Sequence, residues 1–305
     1  MRISAPVVAL AALLAPAMIA AAQCPIPREI VTASRALNDA EREAIAKCVD
    51  TQVAMIADGS PPDVSRGRME LTQPPRSPGA SEVFRRAYAD AVRTKLRDLI
   101  KSGDEFRAMN ALSVLPFLLT VESLDELADN AAPSRQTRQS LRIAAARMLA
   151  QSTRTLAGTN APFTLNPAQS DSFARKLREA AMEETSWVAL SELASALLHQ
   201  ATWKLPPANQ DAVRNELLRV LQRQVDLVKT SPEAIRAVHP TLVSVRKQII
   251  ELPVAARPAF ATQLNPILKS IKTLSANPPA NTSDSLKRVF EQSGMLVDQI
   301  QGFFK

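Results

Sequence analysis

The chain has 305 residues, 46% of them hydrophobic and 22% charged, with a net charge of +7; this is enough apolar material for a large core and excludes collagen-like and disordered classes. Glycine is scarce, at 7 residues, roughly a third of its usual share. With one tyrosine, two tryptophans and nine phenylalanines among abundant Ala and Leu, this disfavours β-sandwiches and Gly-rich nucleotide folds and predicts an all-α chain.

Met1-Arg2 precedes an uncharged apolar run from Ala5 to Ala22, in which Ala20 and Ala22 satisfy the small-x-small cleavage rule. A secretory signal over residues 1–22 is expected, so that the mature chain begins at Gln23. Gln23 stands where a lipid-attachment signal wants a small residue before Cys24, and Pro6 and Pro16 make the run a poor membrane anchor. The protein is therefore expected to be exported, periplasmic or secreted, with no transmembrane segment after cleavage. Cleavage removes Arg2 and no acid, leaving 36 basic against 30 acidic residues. In an exported protein that balance points away from nucleic acid, and toward another exported protein, anionic envelope polymers or a membrane surface. An oxidising compartment also lets Cys24 and Cys48 pair as a disulfide. Two free thiols or a metal pair are the alternatives, but no His is near either cysteine in sequence and no Cys-x-x-Cys occurs.

The first helix is predicted from Asn38, which caps with Glu41 at the third helical position, to Gly59 before Pro61-Pro62. Ile45, Cys48, Val49, Gln52, Val53 and Ile56 form its inner face. Residues 60–80 read as a Pro- and Ser-rich connection holding, at most, two helical turns from Val64 to Leu71. From Ser81 a strong helical period through Val83, Phe84, Tyr88, Val92, Leu96 and Ile100 runs to Gly103, and Asp104 starts another helix. That helix carries the register Phe106 to Leu115, which recurs 35 residues later from Leu141 to Ala150. Val121, Leu124 and Leu127 make a short helix between the two copies, and Pro133-Ser134 is expected to open the next. A period near 35 to 40 residues is the mark of stacked helical pairs.

On these residues, about 83–150, the chain resembles the HEAT-repeat family. That resemblance implies a curved α-solenoid that binds proteins or other ligands, with no shared catalytic activity. Arg107 and Arg142 match the arginine of the family's second helix, which implies a structural pairing with an acid of the neighbouring repeat.

Residues 166–305 depart from the repeat and read as a helical hairpin or bundle region continuing the solenoid of residues 23–153. Asn166-Pro167 caps a helix to about Glu183, and Thr185 or Ser186 caps one ending near Trp203. Helices follow from Asn209 to Lys229, from Ser231 through Ile250 with a kink at Pro240, and at about 257–275 and 284–302. The count is eleven or twelve.

Motifs for chemistry are sparse. His199 and His239 have no partner at helical spacing, so no multi-histidine metal site is expected, and the dispersed glycines give no phosphate loop; no cofactor is predicted. His239 is placed to bond a carbonyl freed by Pro240. Ser244-Val245-Arg246-Lys247 matches the Ser-x-x-Lys of penicillin-recognising enzymes without its companion motifs. The acid groups Glu179, Glu183 and Glu184, and Glu122, Asp125 and Glu126, read as solvent faces of helices. Trp187 and Trp203 read as packing anchors. What remains is a pair of basic stripes: Arg86, Arg93 and Arg97 on one helix, with Arg135, Arg138 and Arg142 in the next repeat. They form either a basic groove or a structural ladder with acids such as Asp90 and Asp129. The expected function is an exported, non-enzymatic scaffold or protein-binding module. A basic adaptor for anionic polymers is the alternative, and a hydrolase using Ser244 and Lys247 the third.

Overall fold

The computed structural model describes residues 26–158, 163–280 and 282–304. The expected signal segment 1–22 and Cys24 lie outside them. Among the described residues the chain is all α, with thirteen helices and no strand: α1 (Arg28–Val31), α2 (Asp39–Asp58), α3 (Pro61–Thr72), α4 (Glu82–Lys101), α5 (Glu105–Leu112), α6 (Val121–Ala131), α7 (Gln139–Leu156), α8 (Pro167–Glu183), α9 (Trp187–Gln200), α10 (Pro207–Val228), α11 (Ile235–Glu251), α12 (Arg257–Ala276) and α13 (Asp284–Gly302). The helix beyond the expected eleven or twelve is α1, a single turn too short to show a period.

Local chemistry explains most boundaries. Asn38 accepts from the Glu41 N–H at 2.9 Å while the Glu41 carboxylate accepts from the Asn38 N–H at 2.8 Å, closing a capping box on α2. The buried face of α2 is the set read from its period, Ile45, Cys48, Val49, Gln52, Val53 and Ile56. Residues 60–80 depart from expectation, because Pro61-Pro62 ends nothing: it opens α3. Proline suits a helix's first turn, where its missing N–H has no intrahelical partner to lose, and the Asp63 carboxylate accepts from both the Ser60 N–H and hydroxyl. Gly67 lets α3 approach α2 closely; a Cβ there would meet the Gln52 carbonyl oxygen at 2.8 Å.

Two further boundaries correct the sequence reading. The register of residues 106–115 breaks after Leu112 into a 3-10 turn, Leu115–Phe117, because Pro116 has no N–H to donate to the Leu112 carbonyl. Likewise α7 opens at Gln139: Pro133-Ser134 starts only a single turn, closed by the Arg135 and Gln136 N–H groups on the Ala132 carbonyl, and the chain leaves helical structure at residues 136–138 before α7 begins.

Packing repeats along the chain from α2 to α13, with α4 and α6 the one two-apart pair joined by side-chain ion pairs rather than close helix packing. Consecutive helices touch in the pairs α2/α3, α4/α5, α6/α7, α8/α9, α10/α11 and α12/α13, and helices two apart touch as well, as in α6/α8, α7/α9, α8/α10, α9/α11 and α11/α13. One contiguous apolar core results, from Ile30 to Ile300. Its largest fully buried side chains are Tyr88, Phe84 and Phe290. The Tyr88 ring packs 5.5 Å from that of Phe84, and its hydroxyl donates to the Leu71 carbonyl at 3.1 Å, tying α4 to the end of α3. Trp203 stacks on Phe173 at 6.4 Å while its indole N–H donates to the Thr153 carbonyl at 3.0 Å, so it anchors α7 and α8 together just past the end of α9. No helix among the described residues is long and apolar enough to cross a membrane.

Candidate functional site

The six arginines singled out in the sequence have different fates. On α4, Arg86 reaches Glu82 at 3.0 Å in a fully solvated i,i+4 pair. Arg93 and Arg97, by contrast, converge on Glu126 of α6, Arg97 through Nε and Nη2 at 2.7 to 3.1 Å and Arg93 at 3.5 Å. The Glu126 side chain is only 13% exposed, so it is no solvent-face acid. Arg138 turns back onto the last carbonyls of α4, donating to Ile100 and Ser102, and so satisfies acceptors the helix end leaves open. Arg142 is buried and grips Glu184 with two nitrogens, at 2.7 and 3.1 Å. Arg135 alone of the six is exposed without a side-chain partner among the described residues.

Glu184 is the acid that sequence reading placed in solvent and the fold buries completely. Burial by itself pushes its carboxyl up. Arg142 and the backbone N–H groups of Ser186 and Thr185, both donating to Oε1 at 2.8 Å, outweigh that and hold it below the ordinary carboxylate value. Arg223 of α10 adds a bond to the Glu184 carbonyl at 3.1 Å, so this residue joins α7, the α8–α9 turn and α10. The other repeat arginine, Arg107, bonds Asp104 at 3.3 Å and reaches Asp58 of α2 at 3.8 Å.

Ion pairs of this kind run along the even-numbered helices. Lys95 of α4 meets Asp50 of α2 at 2.8 Å; Lys176 of α8 meets Asp125 and Asp129 of α6 at 3.3 and 3.0 Å; Arg178 of α8 meets Glu216 of α10 at 3.2 Å. A ladder of acids was expected at Asp90 and Asp129; its central rung is Glu126. A second set of cross-helix bonds had no sequence signal. Buried Gln200, Gln224 and Gln248 each donate an amide N–H to a neighbouring helix, to the Ser170, Leu190 and Leu198 carbonyls respectively, at 2.8 to 3.4 Å. Period alone marks a buried glutamine as an interruption, without saying what it meets.

The histidines hold structural positions. His199 Nε2 accepts from Arg154 Nε at 3.2 Å, and burial, then Arg154 and Lys247, depress its pKa. His239 Nδ1 lies 3.2 Å from the Ser293 hydroxyl of α13, which corrects the expected bond to a carbonyl near Pro240: α11 runs through Pro240, and α13 supplies the nearer partner. Ser244 is half-buried on α11, while the Lys247 ammonium is exposed and turned to Glu251 at 3.9 Å. No group of three or more His, Cys, Asp or Glu able to hold a metal occurs among the described residues. Cys48 is buried on α2 and accepts from the Gln52 amide at 3.5 Å; its expected partner Cys24 lies outside the described residues.

Two adjoining cavities lie where the first turns of α4 and α6 meet the 3-10 turns Pro74–Arg76 and Leu115–Phe117 and the last turns of α7. One cavity of about 360 Å³ is lined by Arg76, Arg85, Phe117, Leu119, Gln151 and Thr155, among others, with no carboxylate in its wall. A second, also of about 360 Å³, shares Arg85 and Leu119 and adds Glu82, Arg86, Glu122 and Phe163. The Arg76 guanidinium sits over the Phe117 ring, 5.7 Å from its centre. Leu119 adopts φ of 57°, the left-handed region that a non-glycine residue enters only at a cost, and it stands where the two cavities join. Arg76 and Arg85 escaped the stripe reading because one lies in the Pro-rich connection and the other a residue off the Arg86 face.

No protein-family model matches this chain. Nor does any curated protein match it.

Proposed function

We propose that this chain is an exported, non-enzymatic helical-repeat scaffold, a HEAT-like α-solenoid that works by binding another exported protein. The observation that carries the reading is the packing of helices two apart at every step from α2 to α13 except α4/α6, where the Arg93 and Arg97 bonds to Glu126 make the link; each helix pair extends the last and leaves a continuous surface, as repeat proteins use for binding. On this reading residues 166–305 continue the solenoid, since α8/α10, α9/α11 and α11/α13 pack as α7/α9 does. Arg93, Arg97, Arg138 and Arg142 then serve the stack and not a partner, because each is already engaged by an acid or by carbonyls of another element. Export rests on residues 1–22, and in the oxidising compartment Cys24 closes a bridge to Cys48.

The test is cross-linking of the mature protein in its own envelope, identification of the captured chain, and reconstitution of the pair from purified components. A saturable complex of fixed stoichiometry supports the scaffold. Hydrolysis of an ester or amide that disappears in Ser244→Ala and Lys247→Ala overturns it in favour of an enzyme. Salt-sensitive retention on lipopolysaccharide or dextran sulfate, with no protein complex, replaces it with the polymer adaptor.

A further inference from the structure

The two cavities that meet at Arg85 and Leu119 differ in charge. One offers Arg76 and Arg85 and no carboxylate; the other holds Glu82 and Glu122 beside Arg85 and Arg86. Arg86 is already paired with Glu82 at 3.0 Å, whereas neither Arg76 nor Arg85 has an acid partner among the described residues. Other half-buried arginines without an acid, such as Arg68, Arg138 and Arg223, bond an amide or carbonyl oxygen instead, whereas Arg85 faces the cavity. The acid-free wall is stiff as well. Pro75 and Pro116 fix two of its turns, and the Arg76 guanidinium sits over the Phe117 ring, so little order has to be gained on binding.

The geometry points to an acidic segment of a partner polypeptide as the occupant, with an Asp or Glu carboxylate in the cavity of Arg76 and Arg85. This rests on the reading of the chain as a protein-binding scaffold, and names its docking site. A carboxylate there gains charge-assisted hydrogen bonds from guanidinium groups that match its planar geometry. The Phe117 and Leu119 walls take an apolar side chain next to it. Beyond Leu119 the segment enters the cavity of Glu82 and Glu122, which accepts a neutral or basic residue and repels a second acid. That alternation excludes a uniform polyanion, whose charge repeats along its length, and fits a polypeptide, whose charge varies from residue to residue.

The experiment selects a random-peptide library on the full mature protein, then measures a fluorescent copy of the enriched peptide by anisotropy. Enrichment of an acid flanked by apolar residues is expected. Arg76→Ala with Arg85→Ala weakens that peptide by about tenfold or more, replacement of the peptide's acid by its amide does the same, and the two losses do not add. Arg85→Gln, which keeps most of the stem and removes the charge, repeats the loss should the alanine variant fold poorly. Arg135→Ala leaves binding unchanged. Selected peptides without acid enrichment, or with equal affinity for the doubly substituted protein, overturn the site while leaving the scaffold reading intact. Arginine-dependent binding of dextran sulfate with no selected peptide assigns the cavity to a polyanion and overturns the peptide. Reconstitution of no protein complex and selection of no peptide overturn both.

Discussion

Two arginines a few helices apart, Arg142 and Arg85, show what the surroundings of a guanidinium decide. At the junction of α7 with the α8–α9 turn, Arg142 is buried and meets a fully buried carboxylate in two hydrogen bonds, and its remaining nitrogen donates to the Gln136 and Thr137 carbonyls. At the start of α4, Arg85 lines two cavities and meets no acid. Taking a charge out of water is costly unless its bonds are replaced, so the first arrangement commits Arg142 to the fold. The second leaves Arg85 hydrated and available for exchange with a ligand. The same contrast separates Arg97, held by Glu126, from Arg76, resting on a ring.

The contrast breaks most sharply on Arg142→Met, which strands Glu184 as a buried charge. A loss of about 3–5 kcal/mol in unfolding free energy is expected, measured by urea titration, and much of it should return in Arg142→Met with Glu184→Gln. The pH profile sharpens this. The folded carboxyl of Glu184 lies below its unfolded value, so the pair's contribution is complete above the ordinary carboxylate range and is lost as pH falls through the folded value. In Arg142→Met the stranded carboxyl shifts upward instead, so the gap between variant and parent narrows as pH drops from neutrality toward about 4, the ordinary carboxylate range. Trp203→Phe keeps the packing on Phe173 and deletes the bond to Thr153, at a cost of about 1 kcal/mol by thermal melting. Glu126→Gln, at a cluster open to solvent only on its Arg97 side, should cost about 1 kcal/mol, the difference shrinking in high salt. Arg76→Ala with Arg85→Ala should move stability least, within about 0.5 kcal/mol; a larger loss would show that these two side chains also serve the fold.

Much of the architecture was legible where it depends on neighbours in sequence. Asn38 with Glu41, Asn166 with Gln169, and the spacing of Ile45, Val49, Val53 and Ile56 act over one or two turns, so the pattern of residues already contains the interaction. The failures were local as well where one signal has two meanings. Pro61-Pro62 suits both the end of one helix and the start of the next, and only the Asp63 cap on Ser60 decides that it begins α3. The repeated register at 106–115 and 141–150 predicted two equal helices, and Pro116 cut the first short.

By itself, then, the amino-acid sequence determined that the chain is all helical, where most helices start and stop, and which face of α2 and α4 is buried, since capping and periodicity are short-range effects. Only the tertiary structure decided which charges are buried and which are open. Arg142 and Glu184 are 42 residues apart, Arg97 and Glu126 are 29 apart, and Gln200 and Ser170 are 30 apart. Arg97 and Glu126 meet across helices two apart, Arg142 meets Glu184 where α7 passes the α8–α9 turn, and Gln200 meets Ser170 across the consecutive helices α8 and α9. The cavity of Arg76 and Arg85 has the same origin: its walls come from Pro75, Phe117, Leu119 and Thr155, brought together by packing with no common period to announce them.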